Sequence, residues 1–202
     1  MKTWRLPCPP TRAELRQLRA GDRVYLTGTV LTARDHAHGR LAECARAGEP
    51  WPVDVTGQVI YYVGPSPGFG SRAVGAAGPT TSSRMDRFTP LLLDMGVVAT
   101  IGKGYRSQEV KDAMRRHGAV YFVATGGAGA LLGACVERRE VLAYPDLGPE
   151  AITRLWIRDF PVLVAFDTEG HDLYEENQRR WRSQMQSGEE GSGESHQTGI
   201  GP

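Results

Sequence analysis

Cysteine is scarce in this chain of 202 residues: Cys8, Cys44 and Cys135 stand far apart, with no C-x-x-C pair among them. An odd number at such spacing argues for neither a disulfide framework nor a local zinc site, so reduced thiols are expected. Long apolar runs are also missing. No stretch of about 18 apolar residues could span a bilayer, and "MKTWRLPCPP" lacks the apolar core of a signal peptide. A soluble cytoplasmic protein with no membrane partner is the expectation. Nor is there a concentrated Lys/Arg patch or an aromatic-basic RNA motif, which argues against nucleic acid.

Charge of either sign is nearly balanced, with 24 Lys+Arg against 23 Asp+Glu and a formal net of +1. The balance is uneven along the chain. "SGEEGSGESHQTGIGP", residues 187–202, holds Glu189, Glu190 and Glu194 and no Lys or Arg, which leaves +4 for the remainder. A mildly basic body suits small anionic ligands. With 40% hydrophobic residues the chain is long enough for one well-buried core plus a tail.

What is present alternates between strand and helix patterns. Residues 1–12 read as an irregular lead-in, and "TRAELRQLRAGD" as a short helix closed by Gly21, so that 1–20 form a preamble. "DRVYLTGTVLTA" alternates in the manner of a half-buried strand, "RDHAHGRLAECARAG" reads as a helix stopped by Gly48, and "GQVIYYVG" as a buried strand. Gly64 to Gly78, "GPSPGFGSRAVGAAG", has no period and reads as a long loop. "SSRMDRFTPLLLDMG" has apolar residues at helical spacing, with Pro90 implying a start or break within it. "VVATI", "AVYFVA" and "EVLAY" read as strands. "SQEVKDAMRRHG" reads as a helix capped by Ser107 and stopped by Gly118, and "GALLGACVE" as a short helix. "RLWIRDFPVLVAFD" supplies one or two strands, and a helix from about Asp172 to Met185 leads into the tail. The expected fold class is α/β, a mixed sheet flanked by helices. The expected organisation is a body over 21–175, a terminal helix over 176–186 and a disordered tail over 187–202.

Four strand-to-helix junctions carry polar, glycine-rich or cationic residues: "LTARDHAH", "GPTTSSRMD", "IGKGYRS" and "ATGGAGALL". Ligands of open α/β sheets bind beyond the carboxyl ends of strands, so Arg34, Arg84, Lys103 and Arg106 fall where a site would be built. Arg84 poses a question, because a cation in the first turn of a helix opposes the helix dipole. An anion held between the two would explain it, and so would a side chain extended into solvent. Lys103 between two glycines fits either an anion site or a tight turn with a solvated lysine. "TGGAGA" resembles a phosphate cradle but lacks the lysine and spacing of one, so close packing is the competing reading. His36 and His38, two apart, do not share a helix face as a metal pair would. Asp167, Glu169 and Asp172 read either as a cation site or as a solvated turn.

Together, "GDRVYLTGTVLTARDHAH", "GQVIYYVGP", "GAAGPTTSSRMDRFTPLLLDMGV", "IGKGYRSQEV", "AVYFVATGGAGALL", "AYPDLGPEAI" and "DFPVLVAFDTEGHDLY" resemble the C-terminal domain, or separate β subunit, of the iron–sulfur class I fumarases. They are similar also to the β subunit of L-tartrate dehydratase. The resemblance covers about residues 20–175 and implies a swivelling β/β/α-type domain that packs over a larger α domain or subunit. It implies a four-iron four-sulfur cluster held by that α partner. Three scattered cysteines cannot supply the cluster here, so no metal ligand is expected in this chain. The implied reaction is reversible hydration of fumarate to L-malate in a hetero-oligomer. Carried onto matching positions, Arg34, Arg84 and Lys103 are the cations that meet the dicarboxylate, Thr81 joins them in binding, and Thr80 is the base. Catalysis is thereby assigned to Thr80, Arg84 and Lys103. The pattern departs from the family at Ser83, Ala76 and Gly39, where glycine, serine and lysine are usual. Tartrate dehydration, a non-catalytic dicarboxylate module and a nucleotide site at "TGGAGA" remain as alternatives.

Overall fold

In the computed structural model, which describes residues 1–190, seven strands form one mixed sheet with helices around it, as the α/β reading requires. The strands are β1 (Thr3–Cys8), β2 (Arg23–Thr32), β3 (Val59–Tyr61), β4 (Ala99–Gly102), β5 (Val120–Val123), β6 (Val136–Ala143) and β7 (Ile152–Phe166). The helices are α1 (Arg12–Leu15), α2 (Asp35–Ala47), α3 (Thr89–Asp94), α4 (Gln108–His117), α5 (Gly129–Ala134) and α6 (Leu173–Glu190).

Strands β2, β3, β4 and β5 run parallel in that order, and β7 pairs antiparallel with both β5 and β2. The ladder therefore returns to β2, which closes a ring of five strands and leaves β1 and β6 as the edges. The alternation in the sequence decides what faces inward. Val24, Leu26, Val59, Tyr61, Ile101, Phe122, Phe160 and Val162 meet in one buried cluster inside the ring. Residues one place along point the other way. Leu31, Ile60 and Tyr62 pack under Ala37 and Leu41 of α2, together with Met85, Phe88 and Leu92. Tyr121, Ala165 and Phe166 pack under Val110, Ala113 and Met114 of α4. "VIYY" is continuously apolar because both of its faces are covered.

Several boundaries differ from the sequence expectation. The lead-in is not irregular: Thr3–Cys8 is strand β1, parallel to β2, with Leu6 and Cys8 buried. Its prolines hid it, but an edge strand tolerates a proline whose missing N–H would face away from the sheet. Helix α5 stops at Ala134, and β6 begins at Val136 inside the stretch expected to be helical. "SSRMDRFTPLLLDMG" divides into a four-residue 3-10 turn, Ser82–Met85, and α3, with Pro90 in its first turn. The last strand pattern is one 15-residue strand that bends at Asp159, whose φ is 47°. Helix α6 runs on to Glu190, so residues 187–190 of the expected tail are helical and the rest of it lies outside the described residues.

The stops at Gly48 and Gly118 are as expected, both left-handed, with φ of 69° and 59°. Ser107 caps α4, its hydroxyl accepting from Val110 N at 3.4 Å. The Gly64–Gly78 segment is pinned at its base. Ser66 and Ala76 exchange bonds at 2.8 and 3.0 Å, Val74 is buried in the core, and Ala77 N donates to Gly129 O at 2.8 Å. Only the tip around exposed Phe69 projects. No helix among the described residues is long and apolar enough to cross a membrane.

Candidate functional site

Parallel β2, β3, β4 and β5 deliver their carboxyl ends to one rim, and the four polar junctions gather there. The returning segment Thr80–Ser82 is stitched to that rim by backbone bonds: Thr80 N donates to Tyr62 O at 2.8 Å, Lys103 N to Thr80 O at 3.2 Å and Ser82 N to Lys103 O at 2.9 Å. Thr81 and Lys103 thus form a parallel bridge. The close approach depends on Gly102, where a Cβ would stand 1.9 Å from Ser82 Oγ. Buried Ser82 is held in turn by the Tyr121 hydroxyl, 2.8 Å away. With its backbone fixed, Thr80 keeps a side-chain hydroxyl that has no hydrogen-bond partner among the described residues.

Lys103 is exposed, and among the described residues no carboxylate lies within ion-pair distance of it. Its Nζ stands 4.0 Å from where a Cβ on Gly126 would be, so the glycines of "TGGAGA" leave room for the ammonium. Two glycines beyond Gly126 serve packing: a Cβ on Gly129 would stand 3.2 Å from Gly78 N, and one on Gly133, within α5, 1.8 Å from Gly75 O.

Arg34 and Arg84 meet at one carboxylate that the sequence reading did not single out. Arg84 Nε donates to Asp35 Oδ1 at 3.0 Å and its Nη2 lies 2.9 Å from Asp35 Oδ2, while Arg34 Nη2 is 3.9 Å from the same oxygen. This answers the question of the misplaced cation. Arg84 sits in a 3-10 turn too short to carry much of a dipole, and its anion is supplied by the first residue of α2. Arg34 Nη2 also lies 3.4 Å from Glu150 Oε1. Burial pushes the Glu150 carboxyl up, but hydrogen bonds from the His36 ring and amide, with the Arg34 charge, outweigh it and hold the group below its usual range. The Arg34 Nε is buried without a partner. Gly64 makes space for the Arg34 head, since a Cβ there would lie 2.9 Å from Nη1.

The two histidines separate as the spacing requires: His36 is exposed on Glu150 and His38 is fully buried. Burial pushes the His38 ring down to about 4, so it is neutral at neutral pH. Its Nδ1 donates to Arg34 O at 2.7 Å, between the rings of Tyr62 and Phe88. Arg106 is not at the rim. Its guanidinium is buried on Asp86, Thr89 and Thr100 at 2.7, 2.6 and 3.2 Å. The acidic turn is structural as well: Asp167 accepts from the amides of Ala20, Glu169 and His171, and Asp172 pairs with Lys111. Asp35 was open to detection from its place beside Arg34 at a helix start. Glu150, more than a hundred residues further on, left no local signal.

An iron–sulfur cluster does not fit this chain. Cys8 lies in β1 with its thiol pushed up to about 12 by burial, Cys135 follows α5 and is also pushed up by burial, and Cys44 stands on α2 beside the Tyr144 hydroxyl. Three thiols on separate elements, two of them held protonated, are not ligands, because the thiolate is the binding form. Among the described residues no group of three His, Cys, Asp or Glu could hold a metal. What remains among the described residues is a rim with three cations, two carboxylates and the unpartnered hydroxyls of Thr80 and Thr81, a setting that can take a planar carboxylate between guanidinium edges.

The Fumarase C-terminus family model matches residues 2–177. The chain is 38% identical over 170 residues to Fumarate hydratase 2 of Leishmania major, covering 83% of this chain and 30% of that protein. It is 37% identical over 172 residues to the anaerobic class I fumarate hydratase of Escherichia coli (strain K12), covering 84% and 31%. Against the putative L(+)-tartrate dehydratase subunit beta of Methanocaldococcus jannaschii it is 36% identical over 172 residues, covering 82% and 88%. The chain thus spans about a third of the length of the fumarate hydratases it matches.

Proposed function

Since the chain belongs to the Fumarase C-terminus family, we propose that it is the β subunit of an iron–sulfur hydro-lyase interconverting fumarate and L-malate in the cytoplasm. The observation that carries this reading is the stitching of Thr80, Thr81 and Lys103 to one rim beside Arg34 and Arg84. The four-iron four-sulfur cluster of such an enzyme is assigned to an α subunit, because the three cysteines of this chain stand on separate elements and burial raises two of their thiols.

The residues present have a defined task. Dehydration of malate takes a proton from the carbon next to a carboxylate, and negative charge builds on that carboxylate as it does so. Arg34, Arg84 and Lys103 face this charge, and each preorganised donor of the kind is worth about 3–4 kcal/mol. Thr81 adds a hydroxyl donor to the bound carboxylate. Thr80 Oγ1 receives the proton. An unassisted threonine is far too weak a base, so Thr80 first gives its own hydroxyl proton to solvent, the Lys103 ammonium on the bridged strand makes the resulting alkoxide tolerable, and the hydroxyl of the adjacent malate carbon leaves with a proton from solvent as water.

Tartrate dehydration is the second reading, favoured by the likeness to a tartrate dehydratase β subunit along 88% of that protein. A third, a dicarboxylate-binding module without catalysis, keeps the same rim. Anaerobic reconstitution with the cluster-loaded α subunit, assayed on malate and tartrate side by side, separates all three. Preference for malate is expected, preference for tartrate transfers the assignment, and turnover of neither leaves only the module.

A further inference from the structure

We infer that Asp35 is a positioning residue of this site: its carboxylate, seated between Arg34 and Arg84, sets the spacing and orientation of the two guanidiniums that receive a substrate carboxylate. The inference rests on the proposed hydro-lyase site and adds a residue to it.

Three observations carry it. The contact is one-sided. Arg84 Nε donates to Asp35 Oδ1 at 3.0 Å, its Nη2 stands at ion-pair distance, 2.9 Å, from Oδ2, and its Nη1 makes no hydrogen bond among the described residues. A guanidinium presents two donor edges, so a carboxylate on one edge steadies the plane and leaves the other free for a second carboxylate. The anchor is also more rigid than what it anchors. Asp35 opens α2, with the backbone behind it fixed by the His38 bond to Arg34 O, whereas the Arg84 side chain is 49% exposed on a four-residue turn. Without Asp35 that long side chain would sample solvent. Finally, Glu150 cannot substitute, because it reaches Arg34 and His36 but not Arg84. An exposed pair of this kind contributes little to stability, so its effect should be on geometry.

The test is Asp35→Asn in the reconstituted complex, which keeps an oxygen for Arg84 Nε and removes the charge. A fall in kcat of tenfold or more, with KM for malate moving less than threefold and melting unchanged, is the expected split. Asp35→Glu should recover part of it. In an Arg84→Ala background Asp35→Asn should cost clearly less, the remainder acting through Arg34. Unchanged kcat, or an equal further loss in that background, would overturn the role. Should the wild-type complex turn over neither malate nor tartrate, the function reading fails by itself. The positioning role is then read on the isolated chain from the Arg84 Nε–H proton by 15N-resolved NMR. A slowly exchanging signal lost in Asp35→Asn supports the role, and no such signal in the wild type overturns it.

Discussion

Arg106 and Arg84 flank the same short stretch of backbone, yet one is 1% exposed and the other 49%. Arg106 has Asp86, Thr89 and Thr100 as hydrogen-bond partners and lies over the rings of Tyr62 and Tyr121. Arg84 has one carboxylate and an open edge. A buried charge survives only where its donors are met, so a guanidinium placed like Arg106 has nothing left to offer a ligand. One at the rim, steadied on a single side, does. Partner count and exposure thus sort the cations of one small region into those that hold the fold and those left open to a ligand.

The sharpest way to break that division is to remove each in turn. Arg106→Ala leaves the Asp86 carboxylate and two hydroxyls without their partner and should cost about 3–5 kcal/mol of stability in urea unfolding. Arg84→Ala should cost less than about 1 kcal/mol by the same measurement. Similar losses from the two would erase the distinction. In kinetics the order reverses: Arg84→Ala should lower kcat/KM of the assembled enzyme by about 10²- to 10³-fold. Near-normal turnover would take Arg84 out of the site.

His38 sharpens the buried side, since burial penalises its protonated form even though Nδ1–H donates to Arg34 O in either state. Its folded pKa of about 4 lies below the unfolded value of 6.5, so its contribution is complete above 6.5 and is lost as pH falls from there towards 4. The full change is roughly 3 kcal/mol. His38→Asn keeps a donor for the carbonyl and cannot titrate, so stability of this variant should fall less than that of the wild type between pH 7 and 4.5. Parallel pH profiles would exclude His38 as the source. The smallest effect is steric. Gly64→Ala sets a methyl 2.9 Å from Arg34 Nη1 and should lower kcat about tenfold while stability changes by less than about 1 kcal/mol, because the closest contact is the far end of a flexible side chain and Pro149 O, at 3.3 Å, need give only slightly. Unchanged kcat would show that the Arg34 position is not critical.

Much of this was legible in the sequence, for reasons that differ by element. β2 and α4 announced themselves because each has one buried face, and period 2 or 3.6 follows from that directly. β1 did not, since two of its six residues are buried and prolines interrupt it. The closing of the ladder through β7 is a long-range pairing that no local pattern encodes. Arg34, Arg84 and Lys103 stood out by residue type at strand-to-helix junctions, and Thr80 only through the family resemblance. That Asp35 is shared by Arg34 and Arg84 emerges only once α2 meets the Ser82–Met85 turn, and the distant Glu150 only once α2 meets the turn before β7.

The most direct measurement is anaerobic malate dehydration, followed by fumarate absorbance, for this chain alone, for the cluster-loaded α subunit alone and for the two mixed. Activity confined to the mixture is expected of a site divided between them, with the cations on one side and the cluster on the other. Full activity of the α subunit without this chain would contradict that division and reduce the rim to a binding surface.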